Sequence, residues 1–467
     1  MRLIDNTVYG KNASRQIVRE GEDSFDDLQR IANIKLNELE ECPNLLLFPR
    51  EWNAFNDGVF GSEIISLSHD NETLETGNIM GFIGLNKTNL SIASRFAEHD
   101  EDDLFLHYML QKVMGINVLN LQRTGDRNAI WDFLVFFFPY FLNKALSQGL
   151  YKEYKHNEYN DANVRGVIDV KRHLRINIPF AGKVAYSTRE YNYDNPVMQL
   201  IRHTIEYIKT HRYNNVLTNN ADVFTNINKI ILATPAYDKN SRPKLINLNK
   251  RKPVVHPYFT EYKALQRLCI RILTNDKIST NNEKEKIHGI LFDGAWLWEE
   301  YLNTILKDKG FKHPKNKTGE DAFHLFYEEG RKAGRIYPDF YKETPSIIAD
   351  AKYKRLVYDQ KDENDIRKGD KSRKSNSDYY QIISYMYRFE SKTGYLIFPY
   401  SSSKNLKKYI LRGFEDKTDN SKVILLGMKI PNSSEIESCE DAHLKVEAFK
   451  SLMKASEVEL KEKINVE

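Results

Sequence analysis

The apolar positions of this chain recur with two periods, and the changes between them mark its elements. Val197 to Thr210 and Glu261 to Leu273 carry apolar residues three and four apart, which predicts helices with one buried face. Leu291 to Leu306 (LFDGAWLWEEYLNTIL) follows the same rule, with Trp298, Leu302, Ile305 and Leu306 on one side. With about 100° between successive residues, Glu299 falls about 20° from Leu306, at the edge of that face, while Glu300 points away. The densest apolar run, Phe133 to Leu142, contains Pro139 and is too short to span a membrane, so it is expected to be a buried helix. Gly334 to Tyr341 and Ser346 to Tyr353 read as strands joined through Lys342-Glu343-Thr344-Pro345, and Thr393 to Tyr400 as a buried strand. Between the two strand regions, Asp378 to Glu390 is amphipathic and sets Gln381 and Tyr385 on one side. The expected order is helix, three strands, helix, strand, and then a charged helix over Glu440 to Lys463.

These patterns predict three regions. Residues 1–115 mix short apolar runs such as Leu45-Leu46-Leu47-Phe48 with the turn signals Asn56-Asp57-Gly58 and Thr76-Gly77-Asn78, which suggests a β-rich module. Residues 116–280 read as mainly helical, with a short extended segment from Arg165 to Val170. The polar stretch Asn275 to Lys286 then separates a third region, 281–467. The fold class expected is α/β in that third region, a central mixed β-sheet flanked by helices, and multidomain α+β for the whole chain.

Chemistry concentrates in Ile336-Tyr337-Pro338-Asp339 and, eleven residues on, Asp350-Ala351-Lys352. Side chains two apart on a strand share a face, so Asp350 and Lys352 should emerge together, and the hairpin should bring Asp339 beside Asp350. Two carboxylates in contact repel unless a divalent cation lies between them, and oxygen ligands favour Mg²⁺ or Mn²⁺ over Zn²⁺. Lys352 could then orient the attacking water, help to deprotonate it, or offset charge developing on a phosphate. The triplet alone is weak evidence, because Asp169-Val170-Lys171, Glu153-Tyr154-Lys155 and Glu261-Tyr262-Lys263 have the same form. Pro338-Asp339, however, is the chain's one Pro-Asp.

Composition narrows the class further. With 467 residues and 41% hydrophobic content the chain can build two or three cores. Cys42, Cys269 and Cys439 are far apart and lack metal-site spacing, which suits a reducing cytoplasm. The opening MRLIDNTVYG has no signal-peptide pattern, and a cytoplasmic location is expected. The net charge of +4 decides nothing, but the mixed-sign segment after Lys352, which runs to Lys374, could lie along a nucleic-acid backbone or simply be solvated. Neither Gly10-Lys11 nor Gly182-Lys183 has the flanks of a phosphate-binding loop, so the chain should not hydrolyse nucleotides itself.

The helix, the Pro-Asp and Asp-x-Lys strands and the following helix together resemble the PD-(D/E)xK nuclease superfamily. Leu297-Trp298-Glu299-Glu300-Tyr301-Leu302, Tyr337 to Phe340, Ile348 to Lys354 and Gln381 to Tyr385 resemble the McrC family more narrowly. So do Thr76-Gly77-Asn78 with Gly81-Phe82-Ile83-Gly84, Arg165 to Asp169, and Arg189-Glu190-Tyr191 leading to Asp194-Asn195-Pro196. That family supplies the nuclease subunit of McrBC-type restriction systems, which act on modified (5-methylcytosine) DNA. The resemblance implies a restriction-endonuclease-like domain over 281–467. Asp339 and Asp350 would be metal ligands, joined by Glu299, through water, and by the Ala351 carbonyl. Lys352 would position the nucleophile, and Gln381 would support it. It further implies Mg²⁺ (or Mn²⁺) as cofactor, a 5′-phosphate product, and a separate McrB-like AAA+ GTPase hexamer bound through roughly residues 1–275. Arg123-Thr124-Gly125-Asp126-Arg127 is a candidate for entry into that ring. A non-catalytic activator of an NTPase ring, with a nuclease-like fold kept for binding, is the alternative; a nuclease working without an NTPase is a third reading.

Overall fold

A computed structural model gives the fold. It describes residues 2–10, 25–32, 34–40, 42, 44–49, 63–68, 73–85, 88–96, 103–115, 128–211, 214–218, 220–274, 287–314, 322–354, 376–400, 407–412, 418–432, 435–436 and 442–465. The linker read at Asn275 to Lys286, the loop Arg123 to Arg127, Asn56-Asp57-Gly58, Cys439 and most of the mixed-charge segment lie outside these residues. The chain forms two compact units, one built from 1–122 with 280–467 and the other from 123–279.

The N-terminal part of the first unit contains β1 (Arg2–Ile4), β2 (Val8–Tyr9), β3 (Asn44–Phe48), β4 (Ile65–Leu67), β5 (Leu74–Thr76), β6 (Ile79–Leu85) and β7 (Thr88–Ala93). It also holds helices α1 (Phe25–Ile31), α2 (Leu36–Glu40) and α3 (Leu104–Met114). β2, β5 and β4 make a small antiparallel sheet, while β1, β7, β6 and β3 belong to a five-stranded one. The latter is completed by β11 (His288–Asp293), antiparallel to β6 and parallel to β3. Gly81 on β6 (φ 128°) and Gly289 on β11 (φ 146°) face this pairing, and a Cβ at either would strike the opposing carbonyl, of Ile290 or Phe82 respectively. The apolar faces of both sheets and of α1 and α2 bury Leu3, Leu28, Ile31, Leu45, Ile64, Leu74, Ile83 and Leu291 in one core.

The second unit is more extended than its sequence pattern predicts. Helices α4 (Asn128–Ser147), α6 (Pro196–Lys209), α7 (Ala221–Ala233), α8 (Arg242–Arg251) and α9 (Thr260–Thr274) are accompanied by an antiparallel sheet with the order β8-β10-β9. Its long strands are β8 (Glu153–Asp161) and β10 (Val184–Asn192), paired in register over nine residues. β9 is only Val167–Ile168 and leads into α5 (Val170–Ile176). β8 is rich in charged and exposed positions, and β10 buries Ala185 and Tyr186 side by side, so neither shows the apolar alternation that signals a strand. The expected buried run from Phe133 lies within α4, where Phe137, Phe138, Phe141 and Leu142 are buried. Among the described residues no helix is long and apolar enough to cross a membrane. Asp194-Asn195-Pro196 is a helix start: Asn195 accepts from the N–H groups of Val197 and Met198 at 3.2 and 3.1 Å, and Pro196 opens α6.

Downstream of β11, α10 (Gly294–Leu306) packs beside a second five-stranded sheet, of order β14-β15-β16-β18-β17. Its strands are β14 (Phe340–Lys342), β15 (Ile347–Ala351), β16 (Thr393–Tyr400), β17 (Lys407–Arg412) and β18 (Thr418–Lys429). β15, β16 and β18 run parallel, and β14 and β17 are antiparallel edges, so the sheet is mixed as expected. α11 (Asn376–Arg388) buries Ile382, Tyr385 and Met386 against Ile348, Leu396, Phe398 and Leu425. α12 (Ala442–Asn465) closes the unit, with Glu457 accepting from Tyr108 and Tyr301 hydroxyls, each at 2.8 Å, and from Lys112 at 2.9 Å.

Two expectations need correction. The helix begins at Gly294, three residues after its expected start, because Leu291 and its neighbours pair with β6 and β3 in the N-terminal sheet. The expected strand Gly334 to Tyr341 is split: β13 (Arg331–Ile336) pairs with β12 (Phe323–Glu328), and β14 pairs with β15. Four strands therefore lie between α10 and α11, not three, and Pro338 sits at the break because it has no N–H to give a ladder.

In the second unit His203 is fully buried, its ring tilted against that of Tyr237 with centroids 4.6 Å apart, and Nε2 lies 3.1 Å from Ser241 Oγ. Burial, then the nearby Arg242 guanidinium, pushes it down from 6.5 to about 4. The unfolded chain therefore binds more protons in that window, and stability falls as pH drops from about 6.5 to about 4. We expect a loss on the order of 2–3 kcal/mol. Urea titrations at pH 7 and pH 4.5 should show it in the wild type and not in His203→Phe.

Candidate active site

The edge of the second sheet gathers the residues singled out from the sequence. The antiparallel register of β14 with β15, Phe340 opposite Ala349, carries Asp339 alongside Asp350. Asp339 Oδ2 accepts from the Ala351 N–H at 2.7 Å, so the loop before β14 is tied to the end of β15. Lys352 lies one residue past β15 yet continues its ladder, donating its N–H to the Ile397 carbonyl at 2.8 Å. The two-residue strand period therefore holds, and Lys352 Nζ is 2.5 Å from Asp350 Oδ2. That ion pair is off the axis of a hydrogen bond, and Asp350 Oδ2 is a buried acceptor that no donor meets in good geometry.

Lys352 is held from a second direction by α11. Its Nζ donates to Gln381 Oε1 at 2.9 Å, Gln381 Nε2 donates to the Tyr385 hydroxyl at 2.7 Å, and that hydroxyl donates to the Tyr337 carbonyl at 3.2 Å. This chain returns to the loop that carries Asp339. Gln381 thus touches the lysine and not the carboxylates. Tyr385, which sequence assigns to the core by default, is both core and relay.

Glu299 is half-buried on α10, and its Oε1 lies 3.8 Å from His313 Nε2. Burial first, then the charges of Glu299 and Asp350, hold the Asp339 carboxyl well above the usual carboxylate range, against the pull of Lys352 and the Ala351 N–H. Burial alone would lower Lys352, but Asp350 and Asp339 outweigh it and raise its pKa, keeping the ammonium charged. Glu300 does not point away as expected: its Oε1 is 3.7 Å from the same His313 nitrogen. His313 is raised too, because Glu300 and the Asp339 carbonyl offset its burial.

Sequence reasoning missed two members of this neighbourhood. Asp378 is buried, lies 3.8 Å from Lys352 Nζ and pairs closely with Lys354. Its position three residues before Gln381 on one amphipathic helix was a usable signal. His313 had none, being 26 residues from Asp339 in a segment without periodicity. Among the described residues, no three His, Cys, Asp or Glu side chains form a ready-made metal cage.

A family model described as McrBC 5-methylcytosine restriction system component matches residues 74–399. The chain belongs to the McrBC family. The match extends from β5 through β16 and so includes Glu299, Asp339, Asp350, Lys352 and Gln381. Two solved structures from Thermococcus gammatolerans are similar to this McrBC family chain. One is a half-complex from a tetradecameric assembly of McrB AAA+ hexamers with bound McrC; it is 14% identical, covers 97% of this chain and 99% of its own, and has a TM-score of 0.40. The other, a cryo-EM structure of the McrBC complex, is 12% identical over 68% of this chain and 89% of its own, with a TM-score of 0.30. Comparison with curated proteins gave no significant match.

Because Asp339 is held neutral-prone by burial and like charge, its ionised form costs stability at neutral pH. Asp339→Asn keeps an oxygen for the Ala351 N–H and removes that charge, so it should stabilise the fold by about 1–2 kcal/mol at pH 7. Urea denaturation at pH 7 and at lower pH checks this: the gain should shrink as the wild-type carboxyl becomes protonated.

Proposed function

We propose that this chain is the DNA endonuclease subunit of its restriction system, with a PD-(D/E)xK site at the edge of the second sheet. The observation that carries the reading is the convergence of Asp339, Asp350 and Lys352, with the Ala351 N–H tying the two acidic segments together. The donor set fits a divalent cation. Asp350 Oδ2 is a buried acceptor without a well-aligned donor, and Asp339 is destabilised as an anion by burial and then by Glu299 and Asp350. Asp339, Asp350 and the Ala351 carbonyl would hold Mg²⁺ or Mn²⁺, with Glu299 joining through water. When bound, the cation supplies Lewis-acid polarisation of the phosphodiester.

The chain's own groups account for the rest. Asp350 and Asp339 favour the ammonium form of Lys352, which suits it to orienting the attacking water and offsetting charge on the phosphate. Gln381, itself held by Tyr385, accepts from that ammonium and so gives it a second fixed partner while it pairs with Asp350. Water attacking opposite the 3′ oxygen leaves a 5′-phosphate. Family membership supports a McrB-like AAA+ GTPase hexamer as partner, engaged through the N-terminal regions, and modified DNA as substrate.

The test is cleavage of methylated and unmethylated plasmid with Mg²⁺, nucleotide and the NTPase encoded beside this chain. Wild type should cut only with nucleotide, while Asp350→Ala and Lys352→Ala should lose at least about a hundredfold in rate. If wild type never cuts yet still accelerates NTP hydrolysis, the chain is a non-catalytic activator of the ring and the nuclease reading fails.

A further inference from the structure

The segment after α10 does more than connect it to β12. Gly310, in the left-handed region (φ 81°), turns the chain, and Lys312 then exchanges both backbone hydrogen bonds with Tyr341, at 2.8 and 3.0 Å. That bridge sets His313 beside Phe340, on which its ring stacks with centroids 4.9 Å apart and planes inclined by 28°. His313 Nδ1 donates to the Asp339 carbonyl at 2.8 Å, while Nε2 faces Glu299 and Glu300 at 3.8 and 3.7 Å. One ring therefore spans from the helix that carries the glutamates to the backbone of the first aspartate, with its side chain only 14% exposed. Asp339 itself lies between strands: the Ala351 N–H holds its carboxylate and His313 holds its carbonyl.

We propose that His313 is a positioning residue for the cation-binding acids: by clamping the Asp339 carbonyl and facing Glu299, it keeps the two acidic segments at the spacing a divalent ion requires. The inference rests on the reading of Asp339 and Asp350 as the cation-binding pair. Groups that orient metal ligands typically affect metal affinity by about 10–100-fold. His313→Ala should therefore weaken Mn²⁺ binding to the purified full-length chain by at least about tenfold, measured by calorimetry without DNA or NTPase.

Two further variants separate positioning from general packing. Asparagine can place its amide N–H near the Nδ1 position, whereas glutamine reaches the Nε2 position. His313→Asn should recover most of the Mn²⁺ affinity and His313→Gln little of it, at similar thermal unfolding midpoints. Asp350→Asn sets the scale of full loss. Wild-type affinity in His313→Ala, or equal behaviour of the Asn and Gln variants, overturns the role given to His313 while leaving the nuclease reading standing. Absence of Mn²⁺ binding by the wild type itself overturns the metal-site reading, and this inference with it.

Discussion

Negative charge held out of water at the carboxyl end of β15 is the constraint around which the larger unit is arranged. With an effective dielectric constant of about 20, two like charges about 4 Å apart oppose each other by roughly 4 kcal/mol. A single hydrogen bond returns only about 1 kcal/mol net. Asp339, Asp350 and Glu299 therefore cannot be kept together by their own hydrogen bonds. They are kept together by elements that are stable for other reasons: the parallel ladder of β15 with β16, the apolar face of α11, and the buried face of α10. Lys352 offsets part of the repulsion, and Gln381 and Tyr385 fix where that offset is applied.

The N-terminal sheet contributes to the same end. Arg95 follows β7 and pairs with buried Asp5 at 2.6 Å, and also donates to the Tyr353 carbonyl at 3.3 Å, one residue from Lys352. Arg95 further donates to Asn78, whose amide donates to Asp293 at 3.2 Å, and Asp293 caps α10 by accepting from Ala295 at 2.9 Å. Tyr353 is locked by Ser94 at 2.7 Å and by packing over Gly294, where a Cβ would collide with its ring. The buried guanidinium thus ties the strand end that carries Lys352 to the helix that carries Glu299. Removing one partner of such a buried pair leaves a charge uncompensated, so the loss of either Asp5 or Arg95 is costly. In physical terms the second five-stranded sheet and the N-terminal strands are parts of one compact unit.

Much of this was legible in the residues alone, and the reasons differ by element. Thr393 to Tyr400 was read with its observed limits because a run of β-branched and aromatic residues ending in polar ones has few other solutions. α6, α9, α10 and α11 were found within a few residues because their apolar faces repeat at the helical period. β8 and β10 were not, since both are largely polar and gain their strand character from pairing with each other. β11 was absorbed into a helix for a related reason: its apolar run could be either element, and the choice was made by partners some 200 residues earlier in the chain, on β6.

The same division runs through the candidate site. The local sequence determined that Asp350 and Lys352 share a face, because strand geometry alternates side chains whatever surrounds it, and that Glu299 edges a buried helical face. It also determined that a hairpin returns Asp339 to Asp350. Tertiary structure decided what those groups feel. Burial set the direction of the Asp339 shift, α11 chose the donor path to Lys352, and the Lys312–Tyr341 bridge brought His313 against the Asp339 carbonyl. Periodicity encodes which way a side chain points along one element. Desolvation and contacts between distant segments exist only once those elements have packed.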